Sequence, residues 1–218
     1  MRALLILILS LSFTINAVEQ TLPDTGFTNK AEAKNQLVNG LKEGKWFEHL
    51  DGGFKVITDT SLFQTRYDSG GWASPYTTNF YSLTMYKGGK HNGITRWYEL
   101  NWTLWNEYPY TNDKVNGIYK SYYANGQVEW ATTFKNDIMD GPANEYYNNG
   151  KPKRQILYKN GKIKEKKFYD ENGNEIANGV FKDYNEIGKL ISETTIKNGK
   201  AKKTKYHYYD RNWNEIKK

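Results

Sequence analysis

The sequence predicts an all-β fold: an extended antiparallel β-meander of repeated hairpins that forms a single-layer twisted sheet. Its 218 residues include 18 Tyr, 7 Trp and 9 Phe, which are residue types that suit a pleated, half-buried surface. There are 19 Gly but only 5 Pro, and Gly often follows Asn, as in tight turns. A set of landmarks also recurs every 24 residues, which is typical of stacked equivalent hairpins.

Three kinds of landmark define the repeat. Glycines open successive units at Gly93, Gly117 and Gly141. Nine residues later comes a turn position, at Trp102, Gly126 and Gly150. Eight residues further on stands an aromatic residue, at Tyr110, Phe134 and Tyr158. Three landmarks that keep the same spacing in successive units indicate a true structural repeat.

Each unit is predicted to be one hairpin. In the unit that opens at Gly117, a strand of alternating residues leads through Tyr122-Tyr123 to Asn125-Gly126. Asn-Gly favours the positive φ values of a tight hairpin turn. A second strand then runs to Phe134 and a second turn at Asn136-Asp137. One hairpin cannot bury its own face, so the units are expected to stack into a continuous meander.

The N-terminus predicts export. Arg2 precedes the apolar run Ala3–Phe13, and the small residue Ala17 follows, as in a signal peptide of residues 1–17 that is cleaved after Ala17. The run is about half of the roughly 20 residues that a membrane-spanning helix needs. No later segment is apolar enough to span a bilayer, so we expect a periplasmic or secreted product without a transmembrane segment.

The segments around the clearest repeats are less regular. Residues 18–38 are expected to form a polar lead-in with one short helix at Ala31–Leu37. The repeat domain is predicted over 39–218 and is clearest over 86–199. The stretch from Thr60 to Asn79 does not fit the repeat and is expected to be an irregular loop. Glu165 stands where a unit-opening Gly is expected, and degenerate terminal units are common in stacked repeats.

Charge and cysteine content narrow the choice of partners. The chain has no Cys, so it cannot form a disulfide. The formal net charge is +7, and the lysines are concentrated in the last third. Alternating Lys residues on strands protect a sheet edge against aggregation. The same residues could bind an anionic lipid or an acidic glycan, whereas export argues against nucleic acid.

The pattern G-x₄-YY-x-NG-x₇-(Y/F)-x-N-(G/D) resembles the bacterial variant of the MORN repeat, as found in YwqK-family antitoxin-like proteins. The resemblance covers roughly Asn39 to the C-terminus. It implies a β-meander without catalytic residues. It also implies a role as a scaffold, a lipid-associated module or an antitoxin, although an antitoxin would normally meet its toxin in the cytoplasm.

The sequence offers no catalytic constellation. The three histidines, His49, His91 and His207, are far apart and have no Cys to complete a metal site. There is no nucleophile elbow, phosphate-binding loop or zinc-protease motif. The block Tyr169–Ile176, which recurs as Tyr209–Ile216, has oxygen ligands at alternate positions but lacks the Gly and distal Glu of a Ca²⁺ loop, so a hairpin turn is favoured. We therefore predict a protein that is not an enzyme and needs no cofactor.

Aromatic residues are the candidate interaction surface. The set consists of Trp97, Tyr98, Trp102, Trp105, Tyr122, Tyr123, Tyr146 and Tyr147. Side chains alternate between the two faces of a strand, so one Tyr of each pair should lie in the core while the other is exposed. Trp102 stands where the next two units have a turn Gly. Because tryptophan adopts positive φ much less readily than glycine, this unit is expected to turn differently.

The leading hypothesis is an exported, non-catalytic repeat scaffold that mediates protein–protein interaction, with another envelope or secreted protein as its partner. Two alternatives stay open. One is a module that binds a glycan or an anionic lipid surface, and the other is an antitoxin or immunity-type protein.

Overall fold

The computed structural model describes residues 28–50, 55–57, 80–99, 101–185, 187–210 and 215–216. The predicted signal peptide, the start of the lead-in and the predicted loop from Thr60 to Asn79 lie outside the described residues. Within these ranges, no helix has both the length and the apolar character required to cross a bilayer.

The described residues form 17 strands and one short 3₁₀ helix, Lys30–Glu32. The strands are β1 (Gln36–Val38), β2 (Leu41–Leu50), β3 (Phe80–Lys87), β4 (Lys90–His91), β5 (Gly93–Glu99), β6 (Leu104–Thr111), β7 (Lys114–Val115), β8 (Gly117–Tyr122), β9 (Val128–Lys135), β10 (Ile138–Tyr146), β11 (Pro152–Lys159), β12 (Lys162–Phe168), β13 (Gly179–Tyr184), β14 (Leu190–Lys197), β15 (Lys200–Tyr206), β16 (Tyr208–Tyr209) and β17 (Glu215–Ile216).

The strands follow one another as a meander. Twelve of them form one sheet in the order β1-β2-β3-β5-β6-β8-β9-β10-β11-β12, and the short β4 and β7 pair with β3 and β6. A three-stranded sheet, β13-β14-β15, and the pair β16-β17 follow. Every pairing is antiparallel. The predicted all-β hairpin meander is therefore confirmed.

Two-residue turns join the strands at one end of the hairpins. In each turn both residues have positive φ, as at Asn39-Gly40, Gly88-Gly89, Asn112-Asp113, Asn136-Asp137, Asn160-Gly161 and Asn198-Gly199. This is the type I′ conformation, whose twist matches that of the flanking strands. Asn and Asp adopt positive φ more readily than other residues with a side chain, so Asp can stand where Gly is usual.

Longer loops join the strands at the other end. The N–H of Tyr123 donates to the Gln127 carbonyl, and the N–H of Gly126 donates to the Tyr123 carbonyl, both at 2.8 Å. The loop of the next unit has the same pair of bonds between Tyr147, Lys151 and Gly150. A register shift at the first Tyr of each pair, Tyr122 or Tyr146, precedes the loop. The 24-residue sequence repeat thus corresponds to a repeat in backbone geometry.

The predicted helix at Ala31–Leu37 is wrong. The 3₁₀ helix ends at Glu32, and Gln36–Val38 forms β1, which pairs with Leu41–Glu43. The type I′ turn at Asn39-Gly40 brings these segments together, so strand pairing replaces helix at the C-terminal end of the predicted segment, Gln36–Leu37. Within the described residues, the first strand therefore starts at Gln36, three residues before the predicted start of the repeat domain at residue 39.

Small polar residues and aromatic residues alternate along one face of the large sheet. The buried small residues include Ser82, Thr84, Thr95, Asn106, Ser121, Thr132 and Ala143. Aromatic side chains of the neighbouring strands flank them, as where Tyr119 donates a 2.7 Å hydrogen bond to Asn106 Oδ1. Small residues let the large rings lie close to the sheet, so the rings of neighbouring strands pack against one another on this face.

The three-stranded sheet contacts the large sheet through a small core and a set of charges. The rings of Phe168 and Phe181 lie 5.1 Å apart, and Ile196 completes the buried cluster. The Lys153 ammonium lies 2.7 Å from the buried carboxylate of Asp183. The edge strand β15 is exposed throughout its length and rich in lysine, as expected for an edge that resists aggregation.

Candidate interaction surface

A row of aromatic rings crosses the same face of the large sheet from β2 to β9. We call it the aromatic row; its members are Trp46, Tyr86, His91, Tyr110, Tyr108, Tyr119 and Phe134. In that order, neighbouring ring centroids are 5.8, 4.8, 4.9, 6.1, 4.6 and 6.4 Å apart. All members except Tyr86 are partly exposed, so the row is both packed and accessible.

Charged groups fix one end of the row. The Tyr86 hydroxyl donates to Glu48 Oε2 at 3.1 Å and lies 2.9 Å from His91 Nε2. Lys42 pairs with Glu48 and places its ammonium 4.7 Å from the centre of the Tyr86 ring. Burial, followed by the charge of Glu48, raises the pKa of Tyr86. Burial also lowers the pKa of His91, so the imidazole is neutral near pH 7.

The paired tyrosines bind different partners, as alternation predicts. The Tyr122 hydroxyl donates to Glu107 Oε2 at 2.7 Å, whereas the Tyr123 hydroxyl donates to the Tyr146 carbonyl at 2.7 Å. Tyr147 repeats the second contact by donating to the Tyr169 carbonyl at 2.8 Å. Burial raises the pKa of Tyr123 to about 12. Tyr122, Tyr123, Tyr146 and Tyr147 all have the same intermediate exposure as most members of the aromatic row, so the expected division of each pair into one core and one exposed tyrosine is not observed. The reason is that each pair extends into a loop that the next unit contacts.

The tryptophan-rich unit divides its predicted residues between the two faces of the sheet. Trp97 lies 5.7 Å from Tyr108 of the aromatic row, and the Trp105 ring stacks at 5.0 Å on Phe80. Tyr98 is buried, and its ring lies 6.3 Å from Tyr81 on the opposite face. The predicted residues therefore contribute to two separate aromatic surfaces.

Trp102 adopts the same turn as the glycines it replaces. Its φ is +67°, and its N–H donates to the Glu99 carbonyl at 3.0 Å, as the N–H of Gly126 does to Tyr123. The expectation that this unit turns differently is therefore wrong, because the loop hydrogen bonds hold the backbone in the left-handed region. The left-handed conformation costs a residue with a Cβ about 1–2 kcal/mol. A bulky residue at positive φ is an outlier that points to a functional constraint.

The indole of Trp102 completes an aromatic cage on the face opposite the row. We define the cage as Phe47, Tyr81 and Trp102. The Trp102 centroid lies 4.3 Å from that of Tyr81 and 6.4 Å from that of Phe47, whose ring is nearly parallel to the indole at 15°. Phe47, Tyr81 and the neighbouring Lys30 were missed from the sequence because they come from other parts of the chain. The sequence feature that indicated this site was Trp102, which stands at the loop position that is Gly in the next two units.

The histidines and the Asp-rich loop have structural partners. His49 lies on β2, His91 on β4 and His207 between β15 and β16, and within the described ranges no group of three or more His, Cys, Asp or Glu could hold a metal ion. Asp170 Oδ1 accepts the N–H groups of Asn172 and Asn174, each at 2.9 Å. Hydrogen bonds from Asn174 lower the pKa of Asp170. The Tyr169–Ile176 block is therefore a hairpin turn, as predicted.

The central units resemble a known repeat family. The profile of the MORN repeat variant family matches residues 115–136 and 139–160, which span β8 to β11. A comparison with curated proteins finds no match. MORN repeats are generally modules for protein or membrane interaction rather than catalytic domains. Residues 115–160 are thus similar to two consecutive MORN repeats in sequence and have the antiparallel hairpin architecture expected of them.

Proposed function

We propose that this protein is an exported, non-catalytic repeat scaffold that binds another protein in the cell envelope or outside the cell. The observation that supports this proposal best is the aromatic row, which presents partly exposed rings across strands β2 to β9. Large, rigid aromatic side chains give contact area at a low cost in conformational entropy, and they are enriched at protein interfaces.

The row is held in place before any partner binds. Tyr119 is fixed by its hydrogen bond to the buried Asn106, and Tyr86 is fixed by Glu48 and His91. Binding to such a surface does not require rings to be ordered at the moment of association, which removes part of the entropic cost. This supports docking of a folded protein surface on the row.

Affinity capture tests the proposal. The mature chain, Val18–Lys218, is used as bait in native envelope extract, beside a Tyr108→Ala variant at the centre of the row. The control is Tyr206→Ala, because Tyr206 is 62% exposed and lies on the edge strand β15. A stoichiometric protein that is lost with Tyr108→Ala and kept with Tyr206→Ala supports the proposal, provided that circular dichroism shows both variants folded. Equal capture by both variants would exclude the row as the docking surface.

Export is tested separately by mass spectrometry of the chain from culture medium and periplasm. The signal peptide predicts a protein whose first residue is Val18. A full-length chain that stays in the cytoplasm would contradict export. If the captured protein is a toxin, the scaffold acts as an immunity-type protein.

A second candidate function is binding of a glycan or an anionic lipid surface, and strand β15 favours it. Lys200, Lys202, Lys203 and Lys205 lie on this exposed strand, and none takes part in the ion pairs found within the described ranges. Binding through these lysines should weaken steeply as salt is raised, since exposed charges are screened. Binding through the aromatic row should be much less sensitive to salt.

A further inference from the structure

We infer that the Phe47–Tyr81–Trp102 cage is a binding site for an alkylammonium group of the lysine type, and that Lys30 of the same chain is its built-in occupant. The site lies on the face opposite the aromatic row, because Phe47 follows Trp46 in β2 and successive side chains of a strand point to opposite faces. It does not rest on the proposed protein partner of the row.

The first line of evidence is the backbone of Trp102. The equivalent loop positions are held by Gly126, Gly150 and Gly188, which adopt φ values of +82°, +79° and +77°. Glycine enters this conformation without steric cost, whereas tryptophan does not. Since the turn forms equally well with Gly, the indole is not needed to make the turn. Its position above Tyr81 and beside Phe47 is what distinguishes this loop from the others.

The second line of evidence is the position of Lys30. Its Nζ lies 4.8 Å from the centre of the Trp102 ring and 5.9 Å from the centre of the Phe47 ring. Both distances are within the range of a cation–π interaction, for which Trp is the best aromatic partner. None of the ion pairs among the described residues involves Lys30. Its ammonium group is therefore placed by rings rather than by a carboxylate.

The third line of evidence is the way the segment that carries Lys30 is attached. Asn35 Nδ2 donates to the Phe47 carbonyl at 2.9 Å, and the Phe47 N–H donates to Asn35 Oδ1 at 2.8 Å. Asn29 caps the 3₁₀ helix by accepting the N–H of Ala31 at 3.0 Å. These contacts hold the backbone, whereas the contacts of the Lys30 ammonium within the described part of the chain are those with the rings. A competing ammonium can therefore replace it without unfolding the segment.

The cage is also open to solvent. Trp102 is 43% exposed, whereas Tyr81 is 4% exposed and forms the floor of the site. A second lysine side chain, presented by a protein, can approach the indole from this open side. The expected competitor is lysine because the primary ammonium of Lys30 already occupies the site.

The test uses NMR on the mature chain with n-butylammonium chloride, which reproduces the end of a lysine side chain. The reporters are the Trp102 indole N–H, identified by its loss in Trp102→Gly, and the Phe47 backbone amide. Lys30→Met, which keeps the length of the side chain but removes its charge, is compared with the wild type. Tetramethylammonium chloride and sodium chloride are added at the same concentrations as controls for the type of cation and for ionic strength.

We expect n-butylammonium to shift the NMR signals of both reporters in Lys30→Met. Its affinity should be about fivefold higher than in the wild type, because the variant has no ammonium group of its own to compete for the rings. The double variant Lys30→Met, Trp102→Gly should lose the Phe47 response. It should remain folded, because Gly is the residue found at the equivalent turns. Equal affinity in the wild type and Lys30→Met, an equal response to sodium chloride, or a Phe47 response that survives in the folded double variant would overturn the inference. Tighter binding of tetramethylammonium than of n-butylammonium would overturn the assignment to lysine.

Discussion

Asp137 Oδ1 accepts the backbone N–H of Val115 at 2.7 Å, so a turn of the unit that opens at Gly117 holds the short strand β7 that precedes this unit. The N–H of Asp137 in turn donates to the Val115 carbonyl at 2.8 Å. Asp113 forms the same pair of contacts with His91, at 2.8 and 3.0 Å. An Asp at the second position of a type I′ turn therefore replaces the usual Gly and adds a clamp between neighbouring hairpins.

Replacing this carboxylate should destabilise the array. We expect Asp137→Ala to lower the free energy of unfolding by about 1–2 kcal/mol, because it removes a hydrogen bond to a charged acceptor and places Ala at positive φ. Asp137→Asn keeps an acceptor and a residue that tolerates positive φ, so its loss should be smaller. Urea denaturation of the three proteins measures the difference. Equal stability of Asp137→Ala and the wild type would show that the clamp contributes nothing.

The tyrosine contact at the other end of the hairpins should also be measurable. Tyr123→Phe removes the 2.7 Å hydrogen bond to the Tyr146 carbonyl and keeps the aromatic ring. We expect a loss of about 1 kcal/mol, the usual contribution of a partly buried hydrogen bond. Tyr184→Phe is the matched control. Tyr184 is 47% exposed, and within the described residues its hydroxyl forms no hydrogen bond. Thermal unfolding of both variants should separate them; identical melting temperatures would contradict the prediction.

The glycines of the repeat should differ in their tolerance of a methyl group. An added Cβ at Gly126 meets nothing within 4 Å, so Gly126→Ala carries only the backbone cost of about 1–2 kcal/mol. At Gly141 the Cβ would lie 2.9 Å from the Thr133 Cβ, which adds a steric clash to the cost at φ +134°. Gly141→Ala should therefore be clearly less stable than Gly126→Ala in chemical denaturation. The reverse order would contradict the described strand geometry at the opening of the unit.

His91 should make stability depend on pH. Burial lowers its pKa below the ordinary value of 6.5, although Asp113 and Glu48 oppose this and Lys42 adds to it. The unfolded chain then binds a proton that the native chain does not, so stability is present above pH 6.5 and is lost as the pH falls below it. His91→Phe keeps a ring beside Tyr86 and Tyr110 but cannot titrate.

We expect the fall in melting temperature between about pH 7 and pH 5 to be smaller in His91→Phe than in the wild type. His49 is partly buried, and desolvation followed by the charge of Lys30 lowers its pKa, so a residual slope should remain and should decrease further in the double variant with His49→Phe. An unchanged slope in His91→Phe would show that this imidazole binds its proton equally well in both states.

The sequence was sufficient to predict the meander because the determinants of each hairpin are local. Asn160-Gly161 favours a type I′ turn by itself, and the 24-residue spacing places equivalent turns at one end of the sheet. The sequence showed that lysines concentrate in the last third, whereas the structure places four of them on the edge strand β15. Local patterns failed at Gln36–Val38, where pairing with β2 decides the structure, and at Trp102, where the loop hydrogen bonds impose a left-handed backbone.

The candidate sites were predicted less well because they are assembled across repeats. Trp102 was identified as unusual, but its contacts with Phe47 and Lys30 join residues more than 50 positions apart. The aromatic row likewise depends on register, since Tyr108 meets Tyr119 only when β6 and β8 pair as they do. Spacing within one strand does not reveal which residues of a neighbouring strand lie opposite.

Among the described residues, the hydrogen bonds that join the central hairpins link each hairpin to the next one along the chain. Asp137 contacts Val115, Tyr123 contacts the Tyr146 carbonyl, and Asn125 Nδ2 donates to the Asn148 carbonyl at 3.0 Å. A block of 24 residues could therefore be duplicated or deleted while every remaining block kept its own set of neighbours. The length of the array is then a property that evolution or design can change in whole steps, and the extent of the aromatic row would change with it.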